Sequence, residues 1–435
     1  MKNLQALLSL ILLVSVVSVC PAANSEDLAK QNADLQKKID QLDKELQGLK
    51  KAVSEQTGQT MEELPKPVWS NLNIQLYGYL KLDAAYDTSR INNGDYAKWV
   101  DPQNLYGDDD QFNMTARETR LGMLINGPDN GEMKTSGRVE VDFFGPGASE
   151  NQARIMMRHA YLKLDWPEER FNIIAGQTSD VISPLYPRTV NYSVGWWTGN
   201  IGYRRPQIRL TKEMDFVTGG YLKLEGAVTG TFDRDDFAVD PDNPIDPGPY
   251  SGVPTLQGRA SITAPMFGAQ EATIGMSGHW GREEYDINVG NDKEFDTWSL
   301  NLDYTQPVCS KVEIQAELFT GEDLAAFLGG IGQGVTFFAD ENRYKEVGSK
   351  GGWIAASLGP WGKKKFNVGV AVDDVDRNDV NVGGRTLNRS VFGNVYYALN
   401  KQTDVAFELS HWRTDYRGPG DADSMRAQLA FIYKF

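Results

Sequence analysis

The sequence predicts an all-β protein: a sixteen-stranded antiparallel transmembrane β-barrel with an N-terminal α-helical coiled coil. Three observations lead to this fold. Apolar and polar residues alternate with a period of two from Trp69 to the last residue, short and long connections alternate between these segments, and a heptad repeat precedes them. The 43 Gly, 18 Tyr, 18 Phe and 10 Trp residues fit a strand-rich chain with many turns.

Charge and hydropathy exclude two broad classes of protein. The 435 residues contain 44 Lys and Arg against 59 Asp and Glu, which gives a formal net charge of −15 at pH 7, and the mean hydropathy is −0.44. A multi-helix membrane protein is excluded because it needs several apolar runs of about 20 residues. The acidic balance argues against a nucleic-acid partner, because phosphates attract surfaces rich in Lys and Arg.

The first 23 residues have the pattern of a secretory signal peptide. A cationic start at Lys2 is followed by an apolar stretch over 7–19 and by small residues at Ala22 and Ala23. We therefore expect the mature protein to leave the cytoplasm.

Residues 24–58 are predicted to form a periplasmic coiled coil. Apolar residues recur at alternating spacings of three and four, and Asn32 stands at a core position, where it would help to fix the register. The residues assigned to oligomerisation are Leu28, Asn32, Leu35, Ile39, Leu42, Leu46 and Leu49. Two and three strands both fit this core, and a single helix packed on the main domain is the alternative. Residues 59–68, which contain two prolines, form a stiff linker to the barrel at 69–435.

The first predicted strand shows the alternation most clearly. Its apolar face carries Leu72, Ile74, Leu76, Leu80, Leu82 and Ala84, and its other face is mostly polar. A strand this long, apolar on one side only, is typical of a membrane barrel with lipid outside and water inside. Sixteen such segments begin near residues 73, 113, 133, 153, 171, 205, 219, 255, 271, 295, 311, 351, 365, 390, 403 and 424.

The connections between these segments indicate a bacterial outer-membrane location. Short turns alternate with long connections, which are predicted at 88–111, 178–204, 231–253, 282–294, 321–347 and 374–388. An even number of strands places both chain ends, and with them the coiled coil, in the periplasm. The chain ends on Phe431, Tyr433 and Phe435, which resemble the closing-strand signal of outer-membrane proteins, and its outer surface would contact membrane lipid. A soluble sandwich or propeller is the alternative fold.

A sixteen-stranded barrel encloses a water channel, and charged residues are predicted on its inner face. The candidate pore-lining and anion-binding residues are Lys81, Arg120, Arg138, Arg188, Arg205, Arg209 and Arg259. Their predicted counter-charges are Asp83, Glu118, Glu140 and Asp142. Ladders of Arg in a pore favour anions, because walls of low dielectric constant focus their field. The alternative is that each arginine pairs with a lumen carboxylate and stiffens the wall. Alternation places Arg154 and Arg158 on the outer face unless a bulge or a neighbouring subunit intervenes.

Seven motifs carry a resemblance to a known family. They are GYLKLDAAY at 78–86, ETRLG at 118–122, RVEVDFFG at 138–145, RHAY at 158–161, GQT at 176–178, PRTV at 187–190 and RPQIR at 205–209. Together they resemble the DcaP-like porins, trimeric outer-membrane channels for dicarboxylates and other small anions that have an N-terminal coiled-coil stalk. The resemblance implies a homotrimer and anionic solutes. By position, the family's basic residues match Arg120, Arg138, Arg205 and Arg209.

The long connection at 178–204, which joins the fifth and sixth predicted strands, has two possible positions. In sixteen-stranded porins the third outer loop commonly folds into the bore, which here would bring Asp180 and Arg188 to a constriction. The alternative is a loop that packs over the mouth of the channel.

We therefore expect a porin for passive diffusion of small anions, without a cofactor or a metal ion. The alternatives are a phosphate-selective porin, a sugar-permeable porin with Trp196 and Trp197 as a stacking surface, or a tether between outer membrane and cell wall. An enzyme is not expected, because only His159, His279 and His411 could serve as bases and no serine-centred motif accompanies them.

Overall fold

The computed structural model describes residues 73–127, 131–147, 152–216, 219–232, 248–266, 270–286 and 292–435, together with residues 37, 38, 41 and 44. Those four residues are helical and exposed, and they fall within the predicted coiled coil. The predicted signal peptide, the linker and the seven oligomerisation residues between Leu28 and Leu49 lie outside the described residues.

Strands make up most of the described chain. In chain order they are β1 (Asn73–Asp87), β2 (Gln111–Thr115), β3 (Arg120–Asn126), β4 (Lys134–Asp142), β5 (Met156–Trp166), β6 (Phe171–Ser179), β7 (Arg204–Asp215), β8 (Tyr221–Thr229), β9 (Thr255–Pro265), β10 (Glu271–Asp286), β11 (Asp292–Cys309), β12 (Val312–Glu322), β13 (Val335–Phe338), β14 (Arg343–Glu346), β15 (Gly348–Trp361), β16 (Lys364–Val375), β17 (Arg385–Ala398), β18 (Thr403–Tyr416) and β19 (Gly420–Lys434). Helix α1 (Gln103–Tyr106) and 3₁₀ turns at Gly248–Ser251, Ala325–Phe327, Gly330–Gly332 and Arg377–Asp379 accompany them. Within the described ranges, no helix has the length and apolar character needed to cross a membrane.

Strand β1 closes the sheet into a barrel. It pairs antiparallel with β19, from Tyr79 opposite Lys434 to Asp87 opposite Arg426, and its other edge pairs with β2 and β3. Strands β2 and β3 are two halves of one wall strand that is interrupted at residues 116–119, and β13 and β14 form a separate hairpin. The wall of the described barrel therefore consists of sixteen antiparallel strands, which confirms the predicted fold class for this part of the chain.

Strand β9 shows why these segments form a wall between two different environments. Gln257, Arg259 and Ser261 are buried, whereas the alternate residues Leu256 and Ile262 are exposed. Large apolar side chains on the outer surface and polar ones inside reverse the usual arrangement of a soluble protein and suit a barrel in lipid.

The predicted strand positions agree with the observed ones, with one exception among the connections. The largest difference in a strand start is five residues, at β17, which is predicted from 390 and observed from Arg385. The long connection predicted at 282–294 is wrong, because β10 continues to Asp286 and β11 begins at Asp292. Its polar composition has another cause. Arg282 Nε and Nη1 each lie 2.8 Å from a carboxylate of β11, so the charges form ion pairs between strands.

Three connections fold into the barrel and form much of its buried core. Residues 88–110 contribute Ile91 and Val100, which pack against Trp412 and Tyr416 of the wall. Residues 180–203, here called the inner loop, pack against residues 323–334, here called the second inner loop. The cluster that joins these two loops to the wall contains Ile182, Ile201, Phe319, Leu324, Ala326 and Phe327.

Candidate functional site

The inner loop is tied at its base by Asp180. The carboxylate accepts hydrogen bonds from the Tyr203 amide and from the Gln257 side chain, both at 2.7 Å, and lies 2.8 Å from Arg205 Nε. The two ends of the loop are therefore joined to each other and to strand β9.

From this base the inner loop extends across the lumen and reaches distant parts of the wall. Of the two positions considered for this connection, the structure places it within the bore, because its backbone bonds to side chains on the inner faces of three strands. These contacts are Leu185 N to Glu317 of β12 (2.8 Å), Arg188 O to Asn394 of β17 (2.8 Å) and Val190 N to Glu408 of β18 (2.7 Å).

The two inner loops bind each other through their backbones. The Trp197 amide donates to the Leu328 carbonyl (2.9 Å), and the Gly202 amide donates to the Phe327 carbonyl (2.8 Å). Left-handed backbone conformations at non-glycine residues concentrate here, at Ser183, Val194, Trp197, Asp323, Leu328 and Ile331. Each costs roughly 1–3 kcal/mol and persists only where the surrounding contacts fix it. The loops therefore form a rigid partition in the lumen.

Three arginines converge on Glu140 of β4, and we call them the arginine cluster. Arg138 Nη2 lies 2.6 Å and Arg158 Nε 2.8 Å from its carboxylate oxygens, and Arg120 Nε lies at 3.5 Å. Arg158 also reaches Asp142 at 2.7 Å. Three guanidinium groups thus face two carboxylates on this part of the wall.

Arg158 is the residue that alternation alone misplaces. In the register of β4 and β5, Glu140 lies opposite His159, and the next pair skips one residue of β5, which is Arg158. This β-bulge turns Arg158 inward beside His159. Arg154, the other arginine of ambiguous parity, is exposed, and its Nη1 donates to a loop carbonyl at 3.1 Å.

Three of the seven predicted pore-lining cations lie on the inner side of the wall but are covered there. Arg205 is 0% exposed, and its guanidinium stacks on the Phe327 ring with 3.8 Å between the guanidinium carbon and the ring centroid. The expectation that these cations contact channel water is therefore corrected, because the inner loops and nearby carboxylates enclose them. The pairs are Lys81 with Asp83 and Glu118, Arg205 with Asp180, and Arg259 with Glu225 and Asp303.

The other four predicted cations are more accessible. The side chains of Arg120 and Arg138 are 24% and 31% exposed. Arg188, on the inner loop, is 43% exposed and lies 3.1 Å from Glu313. Arg209 is the least accessible of the four, with a side chain that is 13% exposed, and it donates to the Ser179 carbonyl.

All four predicted counter-charges have cationic partners. Asp83 and Glu118 bind Lys81, whereas Glu140 and Asp142 bind the arginine cluster. Each of the seven predicted cations lies within 4.0 Å of a carboxylate, as the alternative to a free ladder predicts. The side chains of Arg120, Arg138 and Arg188 nevertheless stay 24%, 31% and 43% exposed.

Aromatic rings fill the space beside the arginine cluster. Phe144 and Tyr192 lie 4.3 Å apart between ring centroids, and Trp196 and Trp197 are packed edge to face at 6.3 Å. The Tyr192 hydroxyl donates to Asp142 (3.0 Å), and burial raises the pKa of this hydroxyl, so it stays protonated as a donor. Both tryptophans are buried in this cluster, so neither offers a free stacking surface.

The His, Cys, Asp and Glu side chains of the described residues do not form a metal site. No set of three or more His, Cys, Asp or Glu within them is arranged to hold a metal ion. The histidines lie on different strands: His159 and His279 bond to hydroxyl groups inside the wall, and His411 lies 3.6 Å from Asp423.

Comparisons with known proteins agree with this barrel. The family model for the DcaP outer membrane protein matches residues 15–231. The crystal structure of the DcaP channel of Acinetobacter baumannii has 19% sequence identity and a TM-score of 0.67, over 85% of this chain and 99% of that chain. An anion-selective porin from Comamonas acidovorans (12% identity, 84% and 100% coverage, TM-score 0.53) and OmpF of Salmonella typhi in complex with daunomycin (12%, 84% and 98%, 0.52) share the fold. No curated protein matches the sequence. The chain belongs to the DcaP outer membrane protein family, and it is an outer-membrane porin of that type.

Proposed function

We propose that this porin lets small anions, dicarboxylates in particular, diffuse passively along the wall that carries the arginine cluster. The observation that carries the proposal is the convergence of Arg120, Arg138 and Arg158 on Glu140, which is 1% exposed. The side chains of Arg120 and Arg138 are 24% and 31% exposed, and a guanidinium group has five N–H donors, more than one shared carboxylate saturates, so a solute competes for the remaining donors.

Electrostatics gives the direction of the selectivity. A charged wall bounded by a medium of low dielectric constant concentrates counter-ions in the channel, and a guanidinium group binds a carboxylate through two parallel hydrogen bonds. A solute with two carboxylates makes two such contacts, so dicarboxylates gain more than monocarboxylates. The Comamonas acidovorans porin, which shares this fold, is itself described as anion-selective.

Planar-bilayer recordings of the purified oligomer test the anion preference. We expect Arg120→Gln with Arg138→Gln to move the reversal potential in a salt gradient toward that of a non-selective pore. Arg282→Gln is the matched control, because Arg282 lies on the lipid-facing side and is paired with Glu294 and Asp296. An unchanged reversal potential in the double variant would contradict the proposal.

Liposome swelling tests the class of solute. We expect a four-carbon dicarboxylate to enter faster than a monocarboxylate or a neutral sugar of similar size. Equal rates for the sugar would favour the sugar-permeable alternative, which has less support because Trp196 and Trp197 pack against other rings. A faster rate for inorganic phosphate than for the dicarboxylate would favour a phosphate-selective porin.

We also propose a homotrimer whose subunits assemble through a coiled coil at 24–58, in a mature chain that lacks residues 1–23. A trimer form of OmpT of Vibrio cholerae is among the proteins that share the fold. Deletion of residues 25–58 tests the assembly role, with the oligomer measured by native electrophoresis. Lost trimers are expected, whereas intact trimers with a weakened cell envelope would favour the tether alternative. Mass spectrometry of the purified chain tests removal of the signal peptide.

A further inference from the structure

The outer faces of β17 and β18 carry two arginines near the long-loop ends of these strands. Arg389 is the fifth residue of β17, and Arg413 lies directly opposite it in β18. The neighbours of these arginines along each strand, Ser390 and Thr414 among them, are buried inside the barrel. Because side chains alternate between the two faces of a strand, both guanidinium groups lie on the lipid-facing side.

The two arginines differ in their partners. Arg413 Nε lies 3.1 Å from Asp415, and its Nη2 contacts Asp421. In the part of the chain that the structure describes, Arg389 has no carboxylate within 4.0 Å, and its neighbour on the other side is Val372 of β16. Like charges directly opposite each other in a sheet repel. Beside Arg389, no described carboxylate offsets this repulsion.

The surroundings of Arg389 change from apolar to polar over a few residues. On the side toward the short turns, the next outward residues are Val391 and, directly opposite it, His411, which lies 3.6 Å from Asp423. The exposed apolar side chain of Leu409 follows on β18. On the other side, Asp415 and Asp421 form a polar rim with Arg413. A cation at such a boundary lies where the lipid-facing apolar band meets the headgroups, the level at which a lipid-facing charge costs least.

We propose that Arg389, together with Arg413, binds the phosphate of a lipid headgroup. One phosphate supplies several strong acceptor oxygens, and a guanidinium group binds it through two parallel hydrogen bonds. An anion shared by the two guanidinium groups removes their repulsion. The apolar surface at Val391 and Leu409 accommodates acyl chains, which a free phosphate lacks, and this favours a lipid as the source of the anion.

Arg282 provides a matched control within the same barrel. It is also an outward-facing arginine near the long-loop end of its strand, two residues beyond the exposed Trp280. Its Nε and Nη1 each lie 2.8 Å from a carboxylate oxygen, of Asp296 and Glu294 respectively. Its charge is therefore compensated by protein groups, and no lipid phosphate is needed there.

Native mass spectrometry of the full-length oligomer, titrated with phosphatidic acid in a mild detergent, tests the site. We expect Arg389→Gln to weaken lipid binding by about tenfold, the effect of losing roughly one charge-assisted hydrogen bond. Arg282→Gln is expected to bind phosphatidic acid like the wild type. Diacylglycerol, which has no phosphate, is expected to bind measurably to none of the three proteins.

Three results would overturn the proposal. Equal phosphatidic acid binding by the wild type and Arg389→Gln would show that Arg389 is not the site, and tight binding of diacylglycerol would show that the phosphate is not recognised. Loss of the oligomer in Arg389→Gln would assign this surface to a contact between subunits instead. Because Arg389 faces away from the lumen, anion selectivity in bilayers is expected to stay unchanged in this variant, which separates the lipid site from the proposed channel function.

Discussion

The ammonium group of Lys81 lies 2.8 Å from the carbonyl oxygen of Val190, so the first strand of the wall holds the tip of the inner loop. The backbone amide of Val190 donates to the Glu408 carboxylate of β18 at 2.7 Å. Both backbone groups of Val190 are thereby bound by charged side chains of the wall. Alternation places Lys81 on the inner face of the wall, where it was expected to contact channel water. It is buried instead because the inner loop lies against it.

Replacing Lys81 with methionine is expected to weaken both the wall and the loop. Asp83 and Glu118 lose their shared cation, and an uncompensated buried charge costs about 3–5 kcal/mol in the free energy of unfolding. We also expect a larger and noisier single-channel conductance, because the loop tip loses its bond to the Lys81 ammonium group. Urea unfolding in detergent and single-channel recording measure the two effects.

Lys350→Met is the control for this change, because Lys350 is 73% exposed on the outer surface and its carboxylate neighbour Asp374 is 4.0 Å away. An exposed pair of this kind contributes about 0–1 kcal/mol. Equal destabilisation by the two substitutions would contradict the role assigned to Lys81.

The bulge in β5 makes Arg158 and Arg154 a test pair. Arg158→Gln is expected to reduce anion preference, because Arg158 contacts Glu140 and Asp142 inside the barrel. Arg154→Gln is expected to leave it nearly unchanged, because Arg154 is exposed and bonds only to a loop carbonyl among the described contacts. Reversal potentials of the two variants in the same salt gradient give the comparison. A larger effect from Arg154 would mean that the observed register does not govern the lumen.

Alternation predicted the wall because its physical cause is strong. Lipid outside and water inside select opposite side chains at successive positions, so residues such as Leu256 and Gln257 identify their own faces. Alternation fails where the backbone departs from a regular strand. The bulge at Arg158 adds one residue and reverses the parity, and no residue type in the sequence marks that position.

The accessibility of the charged residues was harder to predict from the sequence, because it depends on contacts between distant segments. Arg205 and Arg138 both belong on the inner face by parity. Arg205 is covered because Phe327, 122 positions away along the chain (327 − 205), stacks on it at 3.8 Å, whereas Arg138 lies 5.4 Å from the ring centroid of Tyr77 and stays 31% exposed. The path of the inner loop depends in the same way on single partners such as Glu408 and Asn394, whose role follows only from the three-dimensional structure.

Neutralising Arg205 is expected to affect stability and not selectivity. Arg205→Gln leaves Asp180 without its buried cation, which costs about 3–5 kcal/mol. Arg138→Gln, by contrast, changes a side chain that is 31% exposed and is expected to shift the reversal potential with a smaller loss of stability. Thermal unfolding and bilayer recording on both variants make the comparison. A selectivity change in Arg205→Gln as large as that in Arg138→Gln would return Arg205 to the pore lining.

Closure of the barrel depends on a glycine in β1. A Cβ atom at Gly78 would lie 2.2 Å from the carbonyl oxygen of Arg120, on the side where β1 meets β3, and the Gly78 amide also binds the carbonyl of Phe435 at 3.1 Å. Gly78→Ala must therefore displace the backbone next to the closing strand. Overpacking of this kind costs about 1–3 kcal/mol, so we expect a smaller fraction of folded barrel after refolding into detergent.

The matched substitution is Gly226→Ala in β8, where a Cβ atom would meet nothing within 4 Å. That change is expected to be neutral or to stabilise the fold by up to about 1 kcal/mol, because alanine has less conformational freedom to lose in the unfolded chain. The folded fraction is measured for both variants by the mobility difference between heated and unheated samples in gel electrophoresis. If Gly78→Ala refolds as well as Gly226→Ala, the backbone at the seam between β1 and β3 has room that the structure does not indicate, and close approach is not the reason for glycine there.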